Sequence, residues 1–197
     1  MLLASGSSPI PRMARARNVL DDLRLTHKVL KRLKIPHALI GGWATVAWGA
    51  VRATKDLDLL VLIGADDREP LKAAFERLEY EGEWRRGGID DPIPELLRMT
   101  PRKEGMRPAI DFLPASKGFD YDAINRAVMV RLGQMSIPVV CREDLIAMKL
   151  SSGGGLDFQD VQAILDIHGK ALDQELLENA CRRLKVSQVL ARIWKKS

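Results

Sequence analysis

The chain has 197 residues, of which 46% are hydrophobic and 29% are charged, and its formal net charge is +5. Its length suits one substantial core, or a compact core with a helical appendage. No stretch approaches the roughly 20 apolar residues that a membrane-spanning helix needs, and the start lacks the order of a signal peptide. We therefore expect a cytoplasmic protein without membrane contact, in which Cys141 and Cys181 are reduced thiols.

The positive charge is concentrated at the two ends of the chain. Residues 12–34 carry eight basic and two acidic side chains, and residues 181–197 carry six basic and no acidic ones. Residues 35–180 carry 17 basic against 24 acidic side chains, so the middle is acidic. Basic helix faces can simply keep a protein in solution, or they can bind the phosphates of a polyanion such as RNA. An acidic centre suits a bound metal ion.

Hydrophobic periodicity predicts alternating helices and strands in the first part of the chain. After a tail at residues 1–17, apolar residues at helical spacing predict a helix over residues 18–34. Residues 37–40 form a predicted buried strand, and Gly41-Gly42 forms a tight turn after it. The order of strand, glycine turn and helix is therefore expected here.

The next predicted elements are a helix of small residues at 43–50 and a central strand at 56–63, where the sequence is DLDLLVLI. A helix follows to about Tyr80. Residues 82–107 are rich in glycine, proline and charge, so we expect a mobile segment around a strand at 96–100. The rest of the chain is predicted to form a strand, a short helix, a hairpin and a helical segment, at residues 109–113, 121–126, 127–140 and 142–197.

Asp56 and Asp58 are the first candidates for a functional site. Alternate residues of a strand face the same side, so these two carboxylates lie together while the leucines between and after them enter the core. Two carboxylates this close repel each other, and their desolvation costs free energy. A bound metal ion would offset both effects. Oxygen ligands of this kind suit Mg²⁺ or Mn²⁺. A D-x-D pair alone, however, also occurs on solvated surfaces.

Two other features give the pair a context. Gly41-Gly42 ends a strand and begins a helix, which leaves backbone amides free to hold phosphate groups. Asp111 lies within a second apolar strand, which could lie beside the strand of Asp56 and Asp58. The alternative for Asp111 is an acid at a strand end that is paired with an arginine. Three carboxylates and a phosphate-binding turn are thus expected to meet.

These motifs resemble the nucleotidyltransferase superfamily that includes DNA polymerase beta. The matching parts are IGGWA, then DLDLLV with 13 residues between Gly42 and Asp56, and finally IDFL around Asp111. The segments RATK, REDLIAMKL and LDFQDV are similar to a bacterial subgroup of minimal antibiotic nucleotidyltransferases and abortive-infection toxin components. The resemblance covers about residues 35–167.

The resemblance implies an α/β (α+β) fold, in which helices flank a mixed β-sheet and a C-terminal helical lobe closes the cleft. The corresponding domains are a tail at residues 1–17, a catalytic core with its N-terminal helix at 18–140, and a helical lobe at 141–197. It also implies that Asp56 and Asp58 hold two divalent metal ions on a nucleoside triphosphate. Asp111 would bind the metal nearer the acceptor and help to deprotonate its hydroxyl.

By the same resemblance, Lys149 helps to hold the triphosphate, although a single helical lysine is often only solvated. Asp157 and Asp160 follow it, and an arginine expected near them is replaced by Gly155-Leu156. We interpret the two acids as residues that cap and orient the helix beginning near Leu156.

Arg52 and Thr54 precede the D-x-D strand and are secondary candidates for contact with phosphate. Arg52 could equally pair with one of the acidic residues and orient it.

The sequence therefore favours an enzyme that moves a nucleoside monophosphate from a nucleoside triphosphate to a hydroxyl and releases pyrophosphate. The basic ends favour RNA, such as transfer RNA, as the acceptor, and a small molecule such as an antibiotic is the nearest rival. A toxin–antitoxin role, with a partner protein or a second copy of the chain, fits the subgroup. The alternative is a catalytically idle module of the same fold that acts as a binding or antitoxin-type protein.

Overall fold

The computed structural model describes residues 19–87, 95–103 and 107–194. The predicted tail at residues 1–17 lies outside them. The strands are β1 (His37–Ile40), β2 (Leu57–Val61), β3 (Tyr80–Arg86), β4 (Glu95–Pro101), β5 (Ile110–Pro114), β6 (Val128–Leu132) and β7 (Met135–Val139). The α-helices are α1 (Val19–Arg32), α2 (Gly41–Ala47), α3 (Arg68–Glu76), α4 (Gly118–Asn125), α5 (Arg142–Ser152), α6 (Gly155–His168), α7 (Gln174–Arg183) and α8 (Ser187–Trp194).

The seven strands form one mixed sheet in the order β3-β4-β5-β2-β1-β7-β6. Two pairs are parallel, β2 with β5 and β1 with β7, and the other four pairs are antiparallel. The central strands β1, β2 and β5 are rich in Leu, Ile and Val, because both of their faces are covered by other elements. This arrangement confirms the α/β (α+β) fold class that the sequence predicts.

Helices of the C-terminal part pack on one another and on the sheet. Helix α5 contacts α6 and α7, and α2 connects the sheet to both α5 and α6. Helix α5 is buried along most of its length, including the charged residues Glu143, Asp144 and Lys149. The proposed boundary of the helical lobe, after residue 140, falls between β7 and α5.

Most predicted elements are present with shifts of a few residues at their ends. The predicted glycine turn is confirmed at Gly41, whose φ of +65° is a left-handed conformation that glycine adopts without strain. Helix α2 begins at this glycine and ends at Ala47, so it is shorter than the predicted helix over 43–50.

The prediction of a mobile segment at residues 82–107 with one strand is wrong in part. A second strand, β3, runs from Tyr80 to Arg86 and pairs with β4. The helix expected to reach Tyr80 ends at Glu76 instead. The strand is not predicted from the sequence, because Gly82 lowers the strand propensity of this segment. A Cβ atom on Gly82 would lie 2.8 Å from Cγ of Lys72 and 2.9 Å from Sδ of Met99, so close packing requires glycine here.

Two expectations from composition are also addressed by the structure. Cys141 and Cys181 are buried free thiols, as predicted. Over the described ranges, no helix combines the length and apolar character needed to cross a bilayer.

Candidate active site

The pairing register of four strands aligns the predicted acidic residues. Ile40 of β1 lies opposite Asp58 of β2, and Asp58 lies opposite Asp111 of β5. Arg98 of β4 lies opposite Asp111 on its other side. Asp56 directly precedes β2, two residues before Asp58. The structure therefore brings the three predicted carboxylates together at one end of the central strands.

Arg98 links two of these carboxylates. Its Nη1 donates to Oδ2 of Asp111 at 2.7 Å, and its Nη2 donates to Oδ2 of Asp56 at 3.2 Å. The alternative considered for Asp111, an acid paired with an arginine, is thus present in the structure. The sequence analysis missed Arg98, although one signal was available: a basic residue in the middle of the apolar strand LLRMT.

Asp58 and Asp111 are in an environment that disfavours their charge. Burial raises the pKa of Asp58 to about 6, and the carboxylates of Asp111 and Asp56 act in the same direction. Burial also raises the pKa of Asp111, although Arg98 opposes the shift. Oδ1 of Asp111 is buried and has no hydrogen-bond partner within the described part of the chain. A cation close to Asp58 and Asp111 would offset the repulsion between their carboxylates.

In their present arrangement, no three His, Cys, Asp or Glu side chains in the described ranges are close enough together to hold a metal ion. Arg98 is the cation that contacts Asp56 and Asp111 in this structure. The assignment of Asp56, Asp58 and Asp111 as metal ligands therefore stays a prediction.

Lys149 lies in the same cavity as Asp58 and Asp111. This cavity, of about 220 Å³, is also lined by Gly41 and Asp157. The Lys149 side chain is only 5% exposed, and its Nζ contacts Oδ1 of Asp157 at 2.9 Å and Oδ2 of Asp160 at 2.6 Å. Burial lowers the pKa of Lys149, which the contact with Asp157 opposes. The possibility of a merely solvated lysine is therefore wrong.

Asp157 and Asp160 do not cap helix α6, contrary to the interpretation from sequence. The helix begins at Gly155, and no side chain accepts a hydrogen bond at its N-cap. Both carboxylates instead contact Lys149, and Asp160 also accepts a hydrogen bond from Arg52. The arginine that was expected near these acids in sequence is thus supplied from 108 positions away. Pairing with the buried Lys149 and the partly buried Arg52 is a stronger constraint on the two acids than a helix cap.

The glycine pair allows the acidic strand to approach α2 closely. A Cβ atom on Gly41 would collide with the carboxylate of Asp58. On Gly42, it would lie 2.6 Å from Oγ1 of Thr54 and 3.3 Å from Cζ of Arg52. Arg52 and Thr54 thus lie against Gly42, on the edge of the site, and Arg52 pairs with Asp160 rather than with Asp56 or Asp58.

Solved structures with the same architecture are nucleotidyltransferases or are described as similar to them. The antibiotic-resistance factor ANT(2'')-Ia is 16% identical to this chain; the match covers 89% of this chain and 97% of that protein, with a TM-score of 0.58. An antigenic nucleotidyltransferase-like protein from Paracoccidioides brasiliensis is 17% identical, with 90% and 92% covered and a TM-score of 0.54. The lincosamide adenylyltransferase LnuA is 16% identical, with 75% and 96% covered and a TM-score of 0.50.

No protein-family model and no curated protein matches the sequence. At identities this low, structural similarity shows the fold alone. The chain therefore has the fold of the nucleotidyltransferases, as the sequence motifs predict, and its activity has to be argued from the site.

Proposed function

We propose that this protein is a metal-dependent nucleotidyltransferase, which moves a nucleoside monophosphate from a nucleoside triphosphate to an acceptor hydroxyl. The observation that carries the proposal is the register of β2 and β5, which sets Asp58 directly beside Asp111. Asp56 adjoins them, and Lys149 enters the same cavity. An acidic cluster beside a buried lysine suits metal-bound triphosphate better than it suits a stable apolar core.

Asp56, Asp58 and Asp111 would hold Mg²⁺ or Mn²⁺. The metal would supply charge stabilisation for the attacking and leaving oxygens of an in-line displacement at phosphorus. Asp111 would accept the proton of the acceptor hydroxyl, because it lines the same cavity as Asp58 and Lys149. The carboxylates would also fix the acceptor and the triphosphate in line with each other.

Lys149, with the backbone amides of Gly41 and Gly42, would hold the triphosphate. Lys149 is now paired with Asp157 and Asp160, so it would share its three donors between these acids and a phosphate oxygen. Thr54 lies close enough to Gly42 to reach the same phosphates. Arg52 would act mainly as a positioning residue, because its guanidinium contacts Asp160.

An RNA end or a small molecule is the proposed acceptor, and a protein is the next alternative. The basic ends of the chain support RNA, and a toxin-type role with a protein partner or a second copy would follow from that choice. Among the proteins of the same fold, one structure of ANT(2'')-Ia contains adenylyl-2''-tobramycin, and one structure of LnuA contains lincomycin. These two acceptors support a small molecule.

A catalytically idle module of the same fold is less well supported. Such a module would be free to replace the buried acids, since Asp58 and Asp111 are costly to keep charged inside the protein. Their position beside Lys149 in one cavity favours catalysis.

Transfer of a labelled nucleotide tests the proposed function. The purified chain should transfer label from one or more α-labelled nucleoside triphosphates to an acceptor in a mixture of total RNA and hydroxylated small molecules, with Mg²⁺ present. Asp58→Ala should reduce this transfer by at least about 10³-fold, the scale expected when a main electrostatic contribution to the transition state is removed. Asp166→Ala, which changes an exposed acid on α6, is the matched control and should keep full activity.

Transfer that persists in a folded Asp58→Ala protein would contradict the assignment. Calorimetry provides a separate reading, because an idle module should bind neither Mg²⁺ nor a nucleoside triphosphate in a metal-dependent way.

A further inference from the structure

A second cavity adjoins the cavity that Asp58 and Asp111 line. It has a volume of about 150 Å³ and shares Ile40, Leu113, Met148 and Ser152 with the first cavity. The two cavities therefore form one continuous cleft between the sheet and α5. Because the carboxylates occupy one end of this cleft, its other end is open to the second reactant.

The floor of the second cavity is apolar. Six of its apolar side chains come from β1, β2, β5, α4, α5 and the end of α7, and they are Ile40, Leu60, Leu113, Phe119, Met148 and Leu184. The cavity also has two acids at its rim, but both are already engaged. Glu95 accepts a pair of hydrogen bonds from Arg68, and Asp120 accepts from the backbone amides of Ser116 and Lys117. The rim thus offers hydroxyl groups, one lysine and one carboxylate that is held by backbone amides.

The spacing along β5 connects the cavity to the reacting atoms. Leu113 follows Asp111 by two residues and faces the same side of the sheet, about 7 Å farther along the strand. Asp111 and Leu113 both line the first cavity, and Leu113 also lines the second. A molecule whose body rests on Leu113 would therefore reach Asp111 with a hydroxyl two or three bonds away from that body.

We propose that this second cavity binds the acceptor, and that the acceptor is an uncharged small molecule with a compact apolar body and a protruding primary or secondary hydroxyl. This inference rests on the proposed function. In the transfer, the hydroxyl oxygen forms a bond to the α-phosphorus while the bond to the pyrophosphate oxygen breaks. The hydroxyl proton passes to Asp111, and pyrophosphate leaves with the electron pair of the broken bond.

The chemistry of the cavity argues against two other acceptors. A polycation such as an aminoglycoside would meet the positive charge of Lys117 at the rim, where Glu95 is already paired with Arg68. An RNA end would bring phosphate groups onto an apolar floor, where they would lose hydration without a partner. Burial of an apolar body, by contrast, stabilises the complex by about 25 cal/mol for each Å² removed from water.

Three alcohols that differ only in the length of their linker test the proposal. These are benzyl alcohol, 2-phenylethanol and 3-phenylpropan-1-ol, whose binding to the full chain can be followed by ligand-observed NMR without nucleotide. Ser151→Phe fills the cavity from α5, and Leu184→Glu places a charge in its floor, whereas Ser136→Phe changes an exposed serine of β7 as the control. Thermal unfolding of each variant verifies that it is folded.

We expect the alcohols to bind the wild type and Ser136→Phe equally, and to bind Ser151→Phe and Leu184→Glu at least tenfold more weakly. With Mg²⁺ and nucleoside triphosphates, mass spectrometry should detect nucleotide esters of the two longer alcohols. Equal binding of the alcohols to all four proteins would overturn the proposal, as would their displacement by tobramycin or by a trinucleotide RNA.

Calorimetry with a nucleoside triphosphate and Mg²⁺ distinguishes a failure of this inference from a failure of the proposed function. Nucleotide affinity should be unchanged in Ser151→Phe. A loss of nucleotide affinity in that variant would assign the cavity to the nucleobase and overturn the acceptor proposal alone. Absence of nucleotide binding in the wild type would instead contradict the proposed function.

Discussion

Arg98 lies between two carboxylates that are proposed to hold metal. In the structure, it neutralises Asp56 and Asp111, which would otherwise repel each other across a short distance. A metal ion at the same carboxylates would compete with the guanidinium. The side chain of Arg98 is 27% exposed, so it has room to move toward solvent or toward a phosphate group.

Substitution of Arg98 should therefore have opposite effects on stability and on metal binding. Arg98→Met should lower the thermal unfolding midpoint in the absence of metal, because three carboxylates would then face one another. The same variant should bind Mg²⁺ about threefold to tenfold more tightly, the range that corresponds to removal of a competing ion pair worth about 1 kcal/mol. Differential scanning fluorimetry and titration calorimetry measure the two effects.

The control for this prediction is Arg131→Met, which removes an exposed arginine whose Nε donates only to the backbone of Gly133. Weaker Mg²⁺ binding by Arg98→Met than by Arg131→Met would contradict competition. It would indicate instead that Arg98 positions the carboxylates for the metal.

Asp58 gives the site a dependence on pH. Its pKa of about 6 lies above the ordinary value of 3.8, so between these values the folded protein binds more protons than the unfolded chain. Protonated Asp58 makes its full contribution to the free energy of unfolding below about pH 4. This contribution is lost as the pH rises through about 6. Without metal, Asp58→Asn should therefore be more stable than the wild type at pH 8, by on the order of 2 kcal/mol, with little difference at pH 4.

Urea unfolding of both proteins between pH 4 and pH 8 measures this difference. Because the comparison is made at each pH, the titration of other groups largely cancels. A difference that stays constant across this range would show that burial does not shift the pKa of Asp58.

At the scale of elements, the group formed by Arg52, Lys149, Asp157 and Asp160 joins three parts of the fold. Arg52 precedes β2, Lys149 lies on α5, and the two acids lie on α6. Asp160 contacts both cations and is only 6% exposed. These contacts hold the two helices in place over the acidic end of the sheet.

Asp160→Asn should lower the free energy of unfolding by about 2 to 4 kcal/mol, because Arg52 loses its salt bridge and the buried Lys149 keeps only Asp157. Asp166→Asn, which changes an exposed acid on the same helix, should cost less than about 1 kcal/mol. Denaturant unfolding of the two variants tests this contrast. Equal stabilities would mean that Asp160 does not hold the helices to the sheet.

Elements with a clear period were predictable from sequence, and those whose formation depends on a neighbour were not. Helix α1 and the strands β1, β2 and β5 follow from the spacing or the clustering of apolar residues. Strand β3 was missed, because only its pairing with β4 makes a strand of YEGEWRR favourable. Its tight packing also requires the glycine that weakens its local signal.

At the scale of the whole molecule, RNA binding by the basic ends can be tested separately from ligand binding in the apolar cavity. If RNA binds by charge attraction, the logarithm of the RNA association constant should fall linearly with the logarithm of the salt concentration. The double variant Lys28→Gln, Lys31→Gln, on exposed positions of α1, should weaken it more than Arg77→Gln, Lys170→Gln, which removes the same charge elsewhere. Fluorescence anisotropy with a labelled RNA at several salt concentrations measures both effects.

Asp58→Ala should leave this RNA binding unchanged, since α1 and the acidic site are different surfaces. Equal weakening by the two double variants would contradict the role of the basic ends.

The sequence by itself determined which residues share a face of a strand and where the chain must turn. The period of two in a strand places Asp56 with Asp58, and the glycine pair marks the turn, because both effects act over a few neighbouring residues. Only the tertiary structure decided what lies beside them. The partners Asp111 and Arg98 are set by strand register, and Asp160 reaches Arg52 from 108 positions away, because packing of the whole core fixes these distances.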